Sequence, residues 1–227
     1  MPEHALAAVE RCIARSGLAS NPYFSALESD LPLAAFRQSQ EQFYYAVTFF
    51  SRPMAALVGR IPHPGQRLDI LRNLVEEHGG FSQDGFHETT FRAFLRSIGA
   101  RDTAAADLGL WACVRAFNSV LSSACVLDEL EVGLGAMGAI EHAFAGISSR
   151  IGQAVVRRGW VAADELVHYS VHAEIDPRHA AEFFALIEPA WNGSRRYYAE
   201  QGLELGIHVF DRLYRDLHER SLAAFGG

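Results

Sequence analysis

Val167-His168-Tyr169-Ser170-Val171-His172-Ala173-Glu174-Ile175-Asp176-Pro177-Arg178-His179 is the stretch around which the rest of the chain falls into place. Its core has the spacing His172-x3-Asp176-x2-His179. A helix turns through ~100° per residue, so Asp176 lies about 40° round from His172 and His179 about 20° the other way. Two imidazoles and a carboxylate therefore share one narrow face. Such donors suit Fe(II), Mn(II) or Zn(II). The same residues also fit a plainer reading, in which Asp176 caps a new helix with Pro177 at its first position and the histidines are incidental.

Moving outward, the hydrophobic pattern is helical throughout. Residues 4 to 16 form a short amphipathic stretch ended by Gly17, and Asn21-Pro22 starts another that runs to about Ser29. Leu33 to about Ile61 is a long helical run that Pro53 should kink or end. A helix from about Arg67 to Gly79 carries Leu68, Leu71, Leu74 and Val75 at helical spacing, and a turn-rich loop, Gly80 to Gly85, leads to another from His87 to Gly99. Asp107 to Leu127, Glu131 to Gly159, Val161 to Asp176, Pro177 to Trp191 and Ser194 to Phe225 complete the series. No pair of alternating β-branched runs brackets a hairpin turn, and no repeat is present. The expectation is an all-α bundle of about seven or more helices.

Composition narrows the function. The chain has 227 residues, 49% of them apolar, which is ample for one core, so a single domain over residues 1–227 is expected. A net charge of -7 argues against a nucleic-acid surface. All 20 basic residues are arginine, which removes lysine Schiff-base chemistry. Cys12, Cys113 and Cys125 are far apart and odd in number, the pattern of reduced thiols in a cytoplasmic protein. The start, Met1-Pro2-Glu3-His4, lacks a signal-peptide pattern, and no apolar run approaches the length of a membrane span. A cytoplasmic protein with no membrane partner is expected.

Two further places carry unusual charge. Glu76-Glu77-His78 ends a helix, where acids oppose the macrodipole, and His87 opens the next. From Val132 up to Arg150, Glu141 is the one formal charge in a run rich in Gly and Ala. Small residues at 133, 135, 136, 138 and 139 let neighbouring helices approach closely and bury this face. A buried carboxylate left unpaired costs on the order of several kcal/mol, so Glu141 needs a cation or an arginine such as Arg115. Together Glu76, His87, Glu141, His172, Asp176 and His179 supply three carboxylates and three imidazoles. Three carboxylates offset most of the charge of two divalent cations and leave coordination positions for oxygen and substrate. The paired Glu-x-x-His motifs of ferritin-like di-iron bundles are absent.

The set Asn73-Leu74-x-Glu76-Glu77-x-Gly79, then His87 with Phe91-x-x-Phe94-Leu95, then Glu141, then His172-x3-Asp176-x2-His179 resembles the haem-oxygenase-like di-iron oxidases. These share an all-helical fold with TenA-type thiaminases and pyrroloquinoline-quinone synthase (TenA/PqqC-like). The likeness runs from about Asn21 to His179. It implies that Glu76, His87, Glu141, His172, Asp176 and His179 each bind metal, with Glu77 or His78 as alternatives to Glu76 because of the insert Gly80 to Asp84. It implies two Fe(II) per chain, or a mixed Mn/Fe pair, with O2 as co-substrate, an external reductant and no haem. The substrate would be a small amine, amino acid or fatty-acid-like molecule. The self-sacrificing branch uses a lysine that this chain lacks. Phe43 and Tyr44, with Phe49 and Phe50, are candidate pocket residues, Arg195 a candidate partner for a substrate carboxylate, and His168 an outer partner of the site. A homodimer is compatible with these features. Metal-free acid–base chemistry by the same residues, and a non-catalytic interaction protein, are the rival readings.

Overall fold

The computed structural model describes residues 2–100 and 109–224, and among them it has nine α-helices and no strand. They are α1 (Glu3–Ser16), α2 (Pro22–Glu28), α3 (Leu33–Arg60), α4 (Pro64–Glu77), α5 (His87–Ser97), α6 (Ala112–Val126), α7 (Leu130–Arg157), α8 (Val167–Ile187) and α9 (Arg196–Ala223). The start of the helix expected from Asp107 and the end of the one expected to reach Phe225 lie outside the described residues. Local signals set the ends. Gly17 closes α1 at φ 76°, and the Asn21 side chain accepts from the Tyr23 N–H at 3.0 Å with Pro22 at the first helical position. No helix among the described residues is long and apolar enough to cross a membrane.

The bundle is built around α7, whose Val132–Glu141 stretch is buried without interruption. Its glycines are contact points. A Cβ added to Gly138 would lie 2.8 Å from the Phe183 Cβ of α8, and one on Gly135 would lie 3.0 Å from the Ala199 carbonyl oxygen of α9. The approach is reciprocal. Gly202 and Gly206 of α9 face α7 so closely that a Cβ would meet the Val132 carbonyl oxygen at 2.4 Å and that of Ala136 at 2.5 Å. With Phe183 and Phe184 of α8 packed on Gly138, Glu141 of α7 lies beside the His172-x3-Asp176-x2-His179 face of α8.

Two prolines behave differently from the sequence expectation. α3 runs through Pro53 and α8 through Pro177, so the stretch expected to break at Asp176 is one helix. Pro177 lacks the N–H that would bond to the Ala173 carbonyl. It sits on the exposed face of α8, while Phe183, Phe184, Tyr169 and His179 pin the other face. Only a short turn, Ala163–Glu165, precedes α8, so its helix begins later than Val161.

The α7–α9 approach has a measurable consequence. Gly206→Ala should destabilise the metal-free protein by about 1–3 kcal/mol, because the clash is with backbone. Gly146→Ala, on an exposed part of α7 with nothing within 4 Å of its Cβ, should stabilise by about 0.5–1 kcal/mol. Urea midpoints of the two variants check this, and shifts of the same sign would reject the close approach as the reason for Gly206.

Candidate metal centre

Four helices converge on one point inside the bundle. The chain leaves α4 at Glu77 and returns at His87, and what joins them is a closed loop. Gly79 (φ 57°) and Gly80 (φ 62°) turn in the left-handed region, and Gly79 is packed so tightly on Gly85 that a Cβ would fall 2.3 Å from its carbonyl carbon. His78 and Phe86 bridge across the neck. The insert between the two ligand candidates therefore loops out. Its neck leaves Glu77 Oε1 2.9 Å from His87 Nδ1, both buried.

The remaining donors come from α7 and α8. His172 Nδ1 lies 2.9 Å from Asp176 Oδ1. His179 Nδ1 is 3.8 Å from both Glu141 Oε2 and Asp176 Oδ1. Glu141 Oε1 accepts a hydrogen bond from Asn73 Nδ2 at 3.3 Å, and no arginine is needed to satisfy it. Glu141, Asp176 and His179 each present a ligand atom within 4.8 Å of the others. The His87 and His172 rings meet edge-on with centroids 4.5 Å apart, so the second group, Glu77, His87 and His172, adjoins the first.

The electrostatics are those of charge enclosed without water. Burial pushes Asp176 well above the usual carboxylate range, and the neighbouring Glu141 charge pushes it further. Burial also raises Glu77, but the neighbouring His87 charge outweighs it and holds that carboxyl below its ordinary value. Burial and the charge of His87 drive His172 down to about 3, so it is a neutral imidazole. Burial pulls His179 down, yet Glu141 and Glu76 outweigh it and raise the ring to about 9. Three ring nitrogens of the cluster, His87 Nδ1, His172 Nε2 and His179 Nδ1, are buried without a hydrogen-bond partner, His87 Nδ1 having only its close charge contact with Glu77. Buried imidazole nitrogens left open beside clustered carboxylates are what a divalent cation requires, so these residues fit a metal.

The sequence candidates are distributed unequally. His87, Glu141, His172, Asp176 and His179 come together. Glu76 does not join them: it sits at the rim, its Oε2 2.7 Å from the outer nitrogen of His179 and also bonded by Arg178. Successive residues point ~100° apart on a helix, and here it is Glu77 that turns inward. His78 bonds the Leu74 carbonyl oxygen at 2.7 Å at the end of α4, away from the donor cluster. Arg195 is corrected as well. It grips Glu131 at 2.9 Å and Glu129 at 2.6 Å on the α7–α9 rim, with no place in the cavity. Tyr44 donates to Glu88 at 2.6 Å beside the cavity, whereas Phe43 lines it.

That cavity is walled by Phe43, Phe50, Phe117, Ile140, Phe144 and Phe210 and reaches Glu77, His87, Glu141 and His172. Phe144, Phe117 and Phe210 belong to no motif in the sequence, and Asn73 appears there only as part of the Asn73-Leu74-x-Glu76-Glu77-x-Gly79 motif. Phe144 is one turn from Glu141 and Asn73 one turn before Glu77, spacings that place them on the same faces. Nothing local marks Phe117 or Phe210. His168 packs edge-on against His172 with centroids 4.5 Å apart, and its Nδ1 lies 3.1 Å from the Thr90 hydroxyl.

Cation binding should compete with protonation of His179. Below about pH 9 a proton must leave before Nδ1 can bind, so affinity should rise as pH increases toward about 9 and level off above it. His172, already neutral, adds no such dependence. Zinc titration by calorimetry in buffers of different ionisation enthalpy measures the release, and pH-independent affinity across that window would exclude His179 as a ligand.

A family model described as "iron-containing redox enzyme" matches residues 37–200. Among solved structures, a domain of unknown function with a haem-oxygenase-like fold from Shewanella denitrificans OS217 superposes with a TM-score of 0.74 at 15% identity, covering 99% of this chain and 93% of that one. A TenA homologue from Pseudomonas syringae pv. tomato DC3000 gives 0.70 at 16%, covering 97% and 92%. A CADD-like protein of unknown function from Nostoc punctiforme PCC 73102 gives 0.71 at 15%, covering 98% and 96%. At such identities these likenesses establish the fold, which is haem-oxygenase-like. No curated protein sequence matches this chain.

Proposed function

The chain belongs to the iron-containing redox enzyme family, and on that premise we propose that it is a non-haem di-iron oxidase or oxygenase acting on a small organic molecule. The observation that carries the reading is the enclosed donor set, with His172 Nε2 and His179 Nδ1 unpartnered beside Glu141 and Asp176. The proposed ligands are Glu77, His87, Glu141, His172, Asp176 and His179, with Glu77 in the place first considered for Glu76. Two ferrous ions bring +4 and the three carboxylates -3, which relieves a cluster that burial otherwise disfavours. Bound iron would supply the electrons that reduce dioxygen, with an external reductant restoring the ferrous state.

The chain's own residues do the rest. Asn73 orients Glu141, Asp176 orients His172, and the phenylalanine wall keeps bulk water from the reacting face. Of the three substrate types considered, the cavity favours the fatty-acid-like one. No arginine among the described residues lines it, and its charged groups all lie at the metal end. A zwitterionic amino acid or a polyamine would leave charges unpaired against phenylalanine. The residual positive charge of a loaded centre suits one small anionic headgroup. A cysteine-dependent hydrolase has little support, since none of Cys12, Cys113 and Cys125 lines the cavity.

Loading the anaerobic protein with Fe(II) should give close to two irons per chain, and Glu141→Ala should lose one or both. Oxygen uptake should rise with monocarboxylates bearing apolar chains and not with amino acids or polyamines. Wild-type iron content in the Glu141→Ala protein would make Glu141 structural and reject the proposal.

A further inference from the structure

We infer that Glu76, anchored by Arg178, is a positioning residue that fixes the tautomer and ring plane of His179 so that Nδ1 is the nitrogen offered to metal. This rests on the reading of the centre as a metal site. Glu76 Oε2 lies 2.7 Å from His179 Nε2, on the side of the ring opposite the donor cluster. Arg178 bonds the same oxygen, and its other amino group is 3.3 Å from Glu182 Oε1, so the carboxylate is held from behind. The His179 ring is fully buried and cannot exchange its bonds for water.

A neutral imidazole donates from one nitrogen and carries a lone pair on the other. An ionised carboxylate only accepts, so Glu76 selects the tautomer with hydrogen on Nε2. The lone pair then falls on Nδ1, which is buried, unpartnered and 3.8 Å from both Glu141 and Asp176. Arg178 bonds the same Glu76 oxygen that faces Nε2, which leaves the carboxylate an acceptor toward the ring. A ligand role for Glu76 does not follow, because its oxygen and the cluster lie on opposite edges of one ring. Carboxylates that orient ligating histidines in this way set metal affinity without touching the metal.

The test is anaerobic Co(II) titration of wild type, Glu76→Ala and Glu76→Gln. The alanine variant should bind the same number of cobalt ions with about 10–100-fold weaker affinity at the His179 position. The glutamine variant, whose amide oxygen still accepts from Nε2–H, should recover most of that loss. Imidazole ¹⁵N spectra of the zinc-loaded proteins give a second readout, with Nε2 of His179 protonated in wild type and in the glutamine variant. Unchanged affinity in the alanine variant overturns the assignment. So does loss of a whole equivalent of cobalt that glutamine does not restore, since Glu76 would then be a ligand. Wild-type protein that takes up no cobalt rejects the metal-centre reading itself, and this assignment with it.

Discussion

Three carboxylates, Glu77, Glu141 and Asp176, and three imidazoles, His87, His172 and His179, are enclosed in a bundle whose surrounding wall is phenylalanine. Everything else at the centre depends on how that charge is compensated. Charged groups moved out of water lose several kcal/mol of solvation each, and attraction between partners recovers it only where geometry is close. Here the compensation is uneven. Glu77 has His87 at 2.9 Å, whereas Asp176 is pushed toward its neutral form and His179 toward its charged one.

The scaffold is organised to make that enclosure possible. α7 and α9 meet at glycines that let their backbones approach closely, and Gly138 of α7 leaves room for the Phe183 and Phe184 side chains of α8. This packing removes water from around Glu141 and sets the His172-x3-Asp176-x2-His179 face directly opposite. The prolines that might have broken α3 and α8 do not, because burial along those helices outweighs one missing hydrogen bond.

The centre also has an outside edge that differs from its interior. Inward, it opens on an apolar cavity suited to hydrocarbon. Outward, Glu76 and Arg178 form a charged clamp against the far nitrogen of His179. On the proposed reading the two sides would have separate roles, one admitting substrate and the other keeping the His179 ring in one tautomer and one plane. The closed loop from Gly79 to Gly85 serves the same end, since its neck, and not the length of the insert, decides where His87 stands relative to Glu77.

The sequence by itself determined the all-helical class, the family resemblance and five of the six residues that converge. Each of these rests on short-range order: the 3.6-residue period that aligns His172, Asp176 and His179, and the lone charge of Glu141 in a run of small residues. What only the tertiary structure decided depends on distance in space. Glu76 and Glu77 are adjacent, equally acidic and equally placed at a helix end, and no periodicity tells which one faces inward. The fold chose through the pinched loop and the position of His87. Arg195 beside Tyr197 and Tyr198 fits a carboxylate receptor by sequence, yet Glu129 and Glu131, distant in sequence, hold it. Phe117 and Phe210 reach the cavity from helices whose meeting point no local pattern records. Periodicity assigns a residue to a face, but the packing of that face against others decides what it touches.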